Sequence, residues 1–274
     1  EIAAENGCEA LTDIAGLSGR VDAVSIVAPT TLHHSLASEL LRQGIHVLVE
    51  KPITTTVAEA DELIQLAAEH DCVLQVGHLE RFNAAIRAVD QHLETAPLFI
   101  ESHRLAPFKP RATDVDVVLD LMIHDIDIIL TLVGAEVSDI RANGASVLSR
   151  EIDIANARLE FSNGCVANVT ASRVSQKSER KMRLFLPHAY AGIDFQNKAV
   201  DLYRVGDGEM HPGIPNIEHQ ALECPQVDAL QAEIEDFLTA IKTGCKPMVS
   251  GEDGRRALAT ALKINQLVPT KLGS

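Results

Sequence analysis

Three short apolar runs separated by helix-length segments constrain the fold of this chain most. They are Val24–Ala28, His46–Glu50 and Val73–Val76. After the first run, Pro29-Thr-Thr leads into a helical stretch to Gln43, which Gly44 can stop because glycine tolerates the left-handed cap. After the second, Thr56-x-x-Glu59 forms a capping box. Val57, Ala60, Leu63, Ile64, Ala67 and Ala68 then share one helical face. Strand, helix and strand at this spacing make βαβ units. Near-continuous apolar strands between helices predict a parallel sheet covered on both faces.

The remainder has a different period. Phe99–Leu105 reads as a strand and Asp116–Val133 as a long helix. Ala155, Ala157, Leu159 and Phe161 then alternate with polar residues, and Asn163-Gly164 predicts a hairpin turn into Val166–Arg173. Met182, Leu184 and Leu186 alternate again, and Val200–Val205 reads as another strand. Two amphipathic helices close the chain. One carries Leu230, Ile234, Phe237, Leu238 and Ile241; the other carries Leu258, Ala261, Leu262 and Ile264. The predicted fold class is α/β, with a partial Rossmann parallel-sheet domain over residues 1–95. An α+β domain with a large, mostly antiparallel sheet follows over residues 96–274, and its terminal helices are able to pack back on the first domain.

Charge narrows the function classes. With 24 Lys and Arg against 39 Asp and Glu, the net charge is −15, which disfavours nucleic acid and anionic membranes as partners. Aromatic content of 3% without Trp leaves no base-stacking platform. The apolar stretch Val115–Val133 is interrupted by Asp116, Asp120, His124, Asp125 and Asp127, so no transmembrane helix is expected. No secretory signal is visible, and the Asn168-Val-Thr170 sequon reads as a chance match. The five cysteines are widely spaced without a C-x-x-C pair. They read as reduced thiols of a cytoplasmic protein, with no metal site expected.

The segment Asp116–Asp127 is the most informative for chemistry. On a straight helix, Asp116, Asp120, His124 and Asp127 fall within an arc of about 80° and Asp125 lies opposite. Nearly every other position is apolar, so this ionisable stripe must face a cleft or partner charges. Three readings are open from spacing alone. His124 could be a general base oriented by Asp120 one turn earlier, the pair could be structural, or the same residues could hold a divalent metal. Glu50-Lys51-Pro52 follows a predicted strand, where parallel sheets form their ligand crevice. A lysine there can stabilise a developing alkoxide, or it can be a solvated loop residue. The loop Ala28–His33 lies on the same edge, with helix N–H groups available for an anion; a simple N-cap role for Thr30 or Thr31 serves equally well.

Taken in order, Ala28-Pro-Thr-x-x-His33, Glu50-Lys-Pro52, Val76-Gly-His-x-x-Arg-Phe82 and Asp120-x-x-x-His124 resemble the Gfo/Idh/MocA family of NAD(P)-dependent oxidoreductases. The likeness runs from about Glu1 to Leu267. It implies oxidation or reduction at a carbinol carbon of a sugar, cyclitol or nucleotide-sugar, with NAD or NADP as cofactor. Lys51, Asp120 and His124 are then the catalytic set. His124 takes the hydroxyl proton, Lys51 binds that oxygen and Asp120 orients His124. Ala28, Pro29, Thr30, His33, Glu50 and Lys51 would contact the cofactor.

A narrower likeness, to bacterial UDP-N-acetylglucosamine 3-dehydrogenases, lies in Gly77–Asn83, Arg104–Phe108 and Asp114–Asp125. It implies a UDP-N-acetylhexosamine substrate, with His78, Arg81, Asn83, Arg104 and Asp127 as substrate contacts. Arg81, Arg104, Lys109 and Arg111 would suit its diphosphate, unless they pair with the many carboxylates. A free sugar or cyclitol substrate is the alternative.

Several expected parts of a Rossmann half are not read in this sequence: the first strand, its G-x-G-x-x-G turn, the first helix, the second strand and the acidic ribose-binding residue. Glu1–Gly7 reads as the end of a helix and Cys8–Leu11 as a third strand. About 35–50 residues of the usual unit would therefore precede Glu1, and the choice between NAD and NADP has no selector residue to rest on. A truncated, non-catalytic fragment or assembly module is the reading this allows. A homodimer or homotetramer formed through the large sheet is also expected.

Overall fold

A computed structural model describes residues 2–109 and 115–268. The chain divides into two compact units. The first comprises residues 1–77 and 237–251, and the second residues 78–236 and 252–274.

In the first unit, a short helix α1 (Ile2–Glu5) precedes a three-stranded sheet of order β1-β2-β3. The strands are β1 (Ala23–Ile26), β2 (His46–Glu50) and β3 (Leu74–Gly77), all parallel. Central β2 buries Val47, Leu48 and Val49, as a strand covered on both faces must. The crossovers are α2 (Thr30–Arg42) and α3 (Val57–Glu69). α3 begins at the expected capping box: Thr56 Oγ1 accepts from the Glu59 N–H while the Glu59 carboxylate accepts from the Thr56 N–H. α2 has Pro29 at its N-cap and no side-chain cap, so neither Thr30 nor Thr31 plays that part. The expected strand at Cys8–Leu11 is irregular chain. Gln75 forms a bridge with Ser250, and the Val76 N–H donates to Val249 O. These contacts tie residues near 250 to this unit.

The second unit begins at His78, earlier than the boundary near residue 95 expected from sequence. Its first elements are a 3-10 turn, Leu79–Phe82, and helix α4 (Ala84–Asp90). They belong here because α4 packs against strands of the large sheet and Asn83 Nδ2 donates to Phe195 O.

That sheet has eight strands in the order β11-β10-β9-β8-β4-β7-β6-β5. They are β4 (Phe99–Leu105), β5 (Val137–Ala145), β6 (Ile154–Phe161), β7 (Val166–Ser172), β8 (Glu179–Leu186), β9 (Ala189–Asp194), β10 (Ala199–His211) and β11 (Ile214–Leu222). Only the β4–β7 pair is parallel. The alternation read in β6 is observed, with Ala155, Ala157, Leu159 and Phe161 buried. The hairpin to β7 turns through Ser162–Gly164, where Gly164 has φ +88° and the Cys165 N–H donates to Asn163 Oδ1.

Helix α5 (Ile123–Val133) shares the core with the buried sheet face. α6 (Ala229–Thr243) and α7 (Gly251–Leu267) complete the chain. α7 adds Ala257, Ala261 and Ile264 to that core. Among the described residues, no helix is long and apolar enough to cross a membrane.

Candidate active site

The ionisable stripe does not lie on one uniform helix. Val118–Met122 forms a π turn ahead of α5, with the Ile123 N–H donating to Val118 O. The Asp120 N–H donates to Asp116 O as in an α-helix, so the wider turn, closed at Ile123, changes the angular register between Asp120 and His124 that a straight α-helix would set. Such insertions concentrate at functional sites. Asp116 opens this segment: its Oδ1 accepts from the Val118 and Leu119 N–H groups, each at 2.9 Å. Its Oδ2 accepts from Asn265 Nδ2 at 2.8 Å. It is a helix cap of the aspartate type. Asp120 and His124 follow, both half-buried.

Asp125 lies opposite, as expected, and explains Arg104. The Arg104 Nε and Nη2 donate to the Asp125 carboxylate at 2.8–3.2 Å, and Nη1 donates to Glu80 Oε1 at 2.9 Å. The guanidinium also lies over the Phe195 ring. Burial opposes its charge, yet Asp125 and Glu80 hold its pKa above the ordinary arginine value. Arg104, expected at the substrate, belongs to a buried ion network within the fold. Asn83, also expected at the substrate, has partners within the fold. Its Oδ1 caps α4 through the Ala85 N–H, and its Nδ2 donates to Glu80 and Phe195.

His78, Arg81 and Asp127, also expected at the substrate, are buried together at 1%, 7% and 2% exposure. Arg81 Nε stands 3.4 Å and His78 Nδ1 4.0 Å from Asp127 Oδ2. Burial raises the Asp127 pKa, against the pull of His78 and Arg81. The His78 and His124 rings meet edge to face with centroids 6.5 Å apart. Sequence alone missed Glu80, the hub between Arg104 and Arg180. Its only signal was the unusual density of charge in His78–Arg81.

The first unit holds the other sequence-predicted residues. His33 is 1% exposed. Its Nδ1 lies 2.9 Å from Pro52 O and its Nε2 2.8 Å from Ala28 O. One imidazole thus ties the loop after β1, carrying Pro29 and Thr30, to the loop after β2, carrying Glu50 and Lys51. The Lys51–Pro52 peptide is cis. Gly77 lies so near Glu50 that a Cβ there would sit 3.2 Å from the Glu50 Cα. A side chain at residue 77 would displace the end of β2. Lys109 is exposed; Arg111 and Asp114 lie outside the described residues.

Comparisons with known proteins agree with this architecture. Residues 1–78 match the family model "Oxidoreductase family, NAD-binding Rossmann fold". Residues 95–189 match the "GFO/IDH/MocA C-terminal domain". The chain is 45% identical over 268 residues to a UDP-N-acetylglucosamine 3-dehydrogenase of Acidithiobacillus ferrooxidans, covering 98% of this chain and 85% of that one. An inositol 2-dehydrogenase of Rhizobium meliloti is 26% identical over 276 residues, covering 95% and 82%. Of solved structures, the Acidithiobacillus enzyme superposes with a TM-score of 0.92 at 44% identity, over 97% of this chain and 85% of that one. An oxidoreductase domain protein from Kribbella flavida gives a TM-score of 0.84 at 19% identity, over 97% and 84%, a likeness of fold alone.

Proposed function

The chain belongs to the Gfo/Idh/MocA family of NAD-binding oxidoreductases, and on that premise we propose that it oxidises a ring hydroxyl of a UDP-N-acetylhexosamine to the 3-keto sugar. His124 accepts the hydroxyl proton, Asp120 orients and charge-stabilises His124, and Lys51 binds the same oxygen as negative charge develops on it. The observation that carries this reading is the division of labour along the π turn and α5. Asp116 caps the segment, Asp125 and Asp127 are buried, and Asp120 and His124 stay half-buried one turn apart.

The cofactor residues fit the nicotinamide end of NAD or NADP. His33 holds the loops at the carboxyl ends of β1 and β2 in one arrangement, so Ala28, Pro29, Thr30, Glu50 and Lys51 line the edge where such sheets bind ligands. NAD or NADP held there would supply the acceptor for the hydride leaving the carbinol carbon. The chain itself binds and orients the sugar, holds its oxygen and takes up the proton.

The substrate assignment rests on the 45% identical relative. A remote nucleotide supplies binding energy that can be used to orient the reacting carbon. In a panel with NAD and with NADP, UDP-N-acetylglucosamine should support cofactor reduction, whereas myo-inositol and glucose should not. Faster reaction of the free polyols would reject the nucleotide-sugar reading and leave the family in place.

The partner reading is a second copy of this chain, paired through the open face of the large sheet. There Phe99, Phe185, Tyr190, Tyr203 and His219 form an in-register row across five strands, with ring centroids 4.5–5.8 Å apart. The chain has only two tyrosines, and both stand in this row. An apolar row this long on a charged protein fits a self-complementary interface. Light scattering should give a dimer or tetramer, and Tyr190→Lys with Tyr203→Lys should lower the mass. A monomeric parent would reject the pairing.

A further inference from the structure

We infer that a cavity beside Arg104 receives the diphosphate of the nucleotide-sugar, and that Arg180 and Lys198 are the cations that hold it. The inference deepens the UDP-N-acetylhexosamine reading and rests on it. The cavity has a volume of about 370 Å³, a size that takes a small ligand. The Leu79–Phe82 turn supplies Leu79 and Glu80 to its wall, the start of β8 supplies Arg180, and the β9–β10 hairpin supplies Phe195 and Lys198.

Register explains why Arg180 faces this cavity. It stands opposite Arg104 in the β4–β8 pair, and directly opposite residues share a face of the sheet. Met182 and Leu184 are buried on that face, while Lys181 and Arg183 alternate to the other, near Asp194 and Glu101. Like charges side by side on a sheet repel unless anions accompany them. Arg104 has Asp125 and Glu80, at 2.8 and 2.9 Å. Among the described residues, Arg180 has one long hydrogen bond, from Nη1 to Glu80 Oε1 at 3.4 Å. Glu80 thus serves Arg104 first, and Arg180 keeps donors for a further anion. Lys198 is placed likewise. Its Nζ donates to Val227 O at 3.4 Å, a neutral acceptor that does not offset its charge.

Location joins the cavity to the reaction. Glu80 follows His78 by two residues, and the His78 and His124 ring centroids are 6.5 Å apart. β4 ends here, with Leu105 opposite Glu179, before the chain passes on to the segment carrying Asp120 and His124. A nucleotide-sugar with its ring hydroxyl at His124 would run past the turn and set its diphosphate at Arg180 and Lys198. In a chain of net charge −15, a dianion needs such a local excess of positive charge. Arginine supplies a planar fork and lysine a mobile point charge, which suits two adjacent phosphates. Phe195, 4% exposed, gives the cavity an apolar floor.

The test is calorimetric titration with UDP, which needs no turnover, on the parent and on Arg180→Gln and Lys198→Gln. Both side chains are exposed, so the variants should fold. Each should weaken UDP binding about tenfold, the weight of a hydrogen bond to a charged group. Each should also raise KM for UDP-N-acetylglucosamine more than it lowers kcat. NADH carries a diphosphate too, and its affinity should not change. A loss of NADH affinity with UDP binding kept would give the cavity to the cofactor and overturn the inference. UDP affinity unmoved in either variant, or no UDP binding by the parent, overturns it as well. The substrate panel decides the underlying reading separately. If the parent oxidises UDP-N-acetylglucosamine, that reading stands even where the cavity assignment fails; if only free polyols react, both fall.

Discussion

Replacing His124 by alanine should lower the rate of sugar oxidation by ~10²–10⁴-fold, the usual contribution of a positioned general base. Cofactor affinity should change little, because His124 is not among the proposed cofactor residues. The split between kcat and cofactor binding is the informative readout. Near-normal turnover in the variant would make His124 structural. In the same assay Lys51→Arg should fail to restore the loss caused by Lys51→Ala. A planar guanidinium cannot occupy the position of a compact ammonium at a single oxygen. Full activity of Lys51→Arg would mean that only a positive charge is needed.

The largest effect on stability is expected at Arg104. Replacing it by alanine leaves the Asp125 carboxylate, 1% exposed, without its bidentate partner and removes one partner of Glu80. Breaking a buried pair from one side costs about 3–5 kcal/mol. For a chain of this size that corresponds to a fall in Tm on the order of 10 °C. Arg104→Lys should recover only part of it, because an ammonium cannot donate to Asp125 and Glu80 in the same fork. Calorimetric melting separates this account from a substrate-contact role, which predicts a raised KM and an unchanged Tm.

Much of this protein was legible in the residues themselves. Local rules sufficed wherever a signal is carried within a few positions. The Thr56–Glu59 box starts α3, Gly44 follows the end of α2, Asn163-Gly164 turns β6 into β7, and the alternation from Ala155 to Phe161 sets which face is buried. The parallel character of the first sheet followed from apolar runs with no polar face. The ordered motifs, Asp120-x-x-x-His124 among them, pointed to the family.

Tertiary structure alone decided which charges are consumed by the fold. Sequence cannot tell an arginine aimed at a diphosphate from one aimed at an aspartate 21 positions away, because the two present the same residue at the same place on a strand. Only the crossing of β4 beneath α5 brings Arg104 to Asp125. The same holds for His78 and Arg81, which meet Asp127 through contacts about 50 residues long in sequence. The π turn at Val118–Met122 was likewise hidden, since its hydrogen bonds differ from those of an α-helix by one residue and leave no periodic mark. Burial and pairing energies depend on distance in space. They therefore fix pairings that spacing along the chain does not reveal.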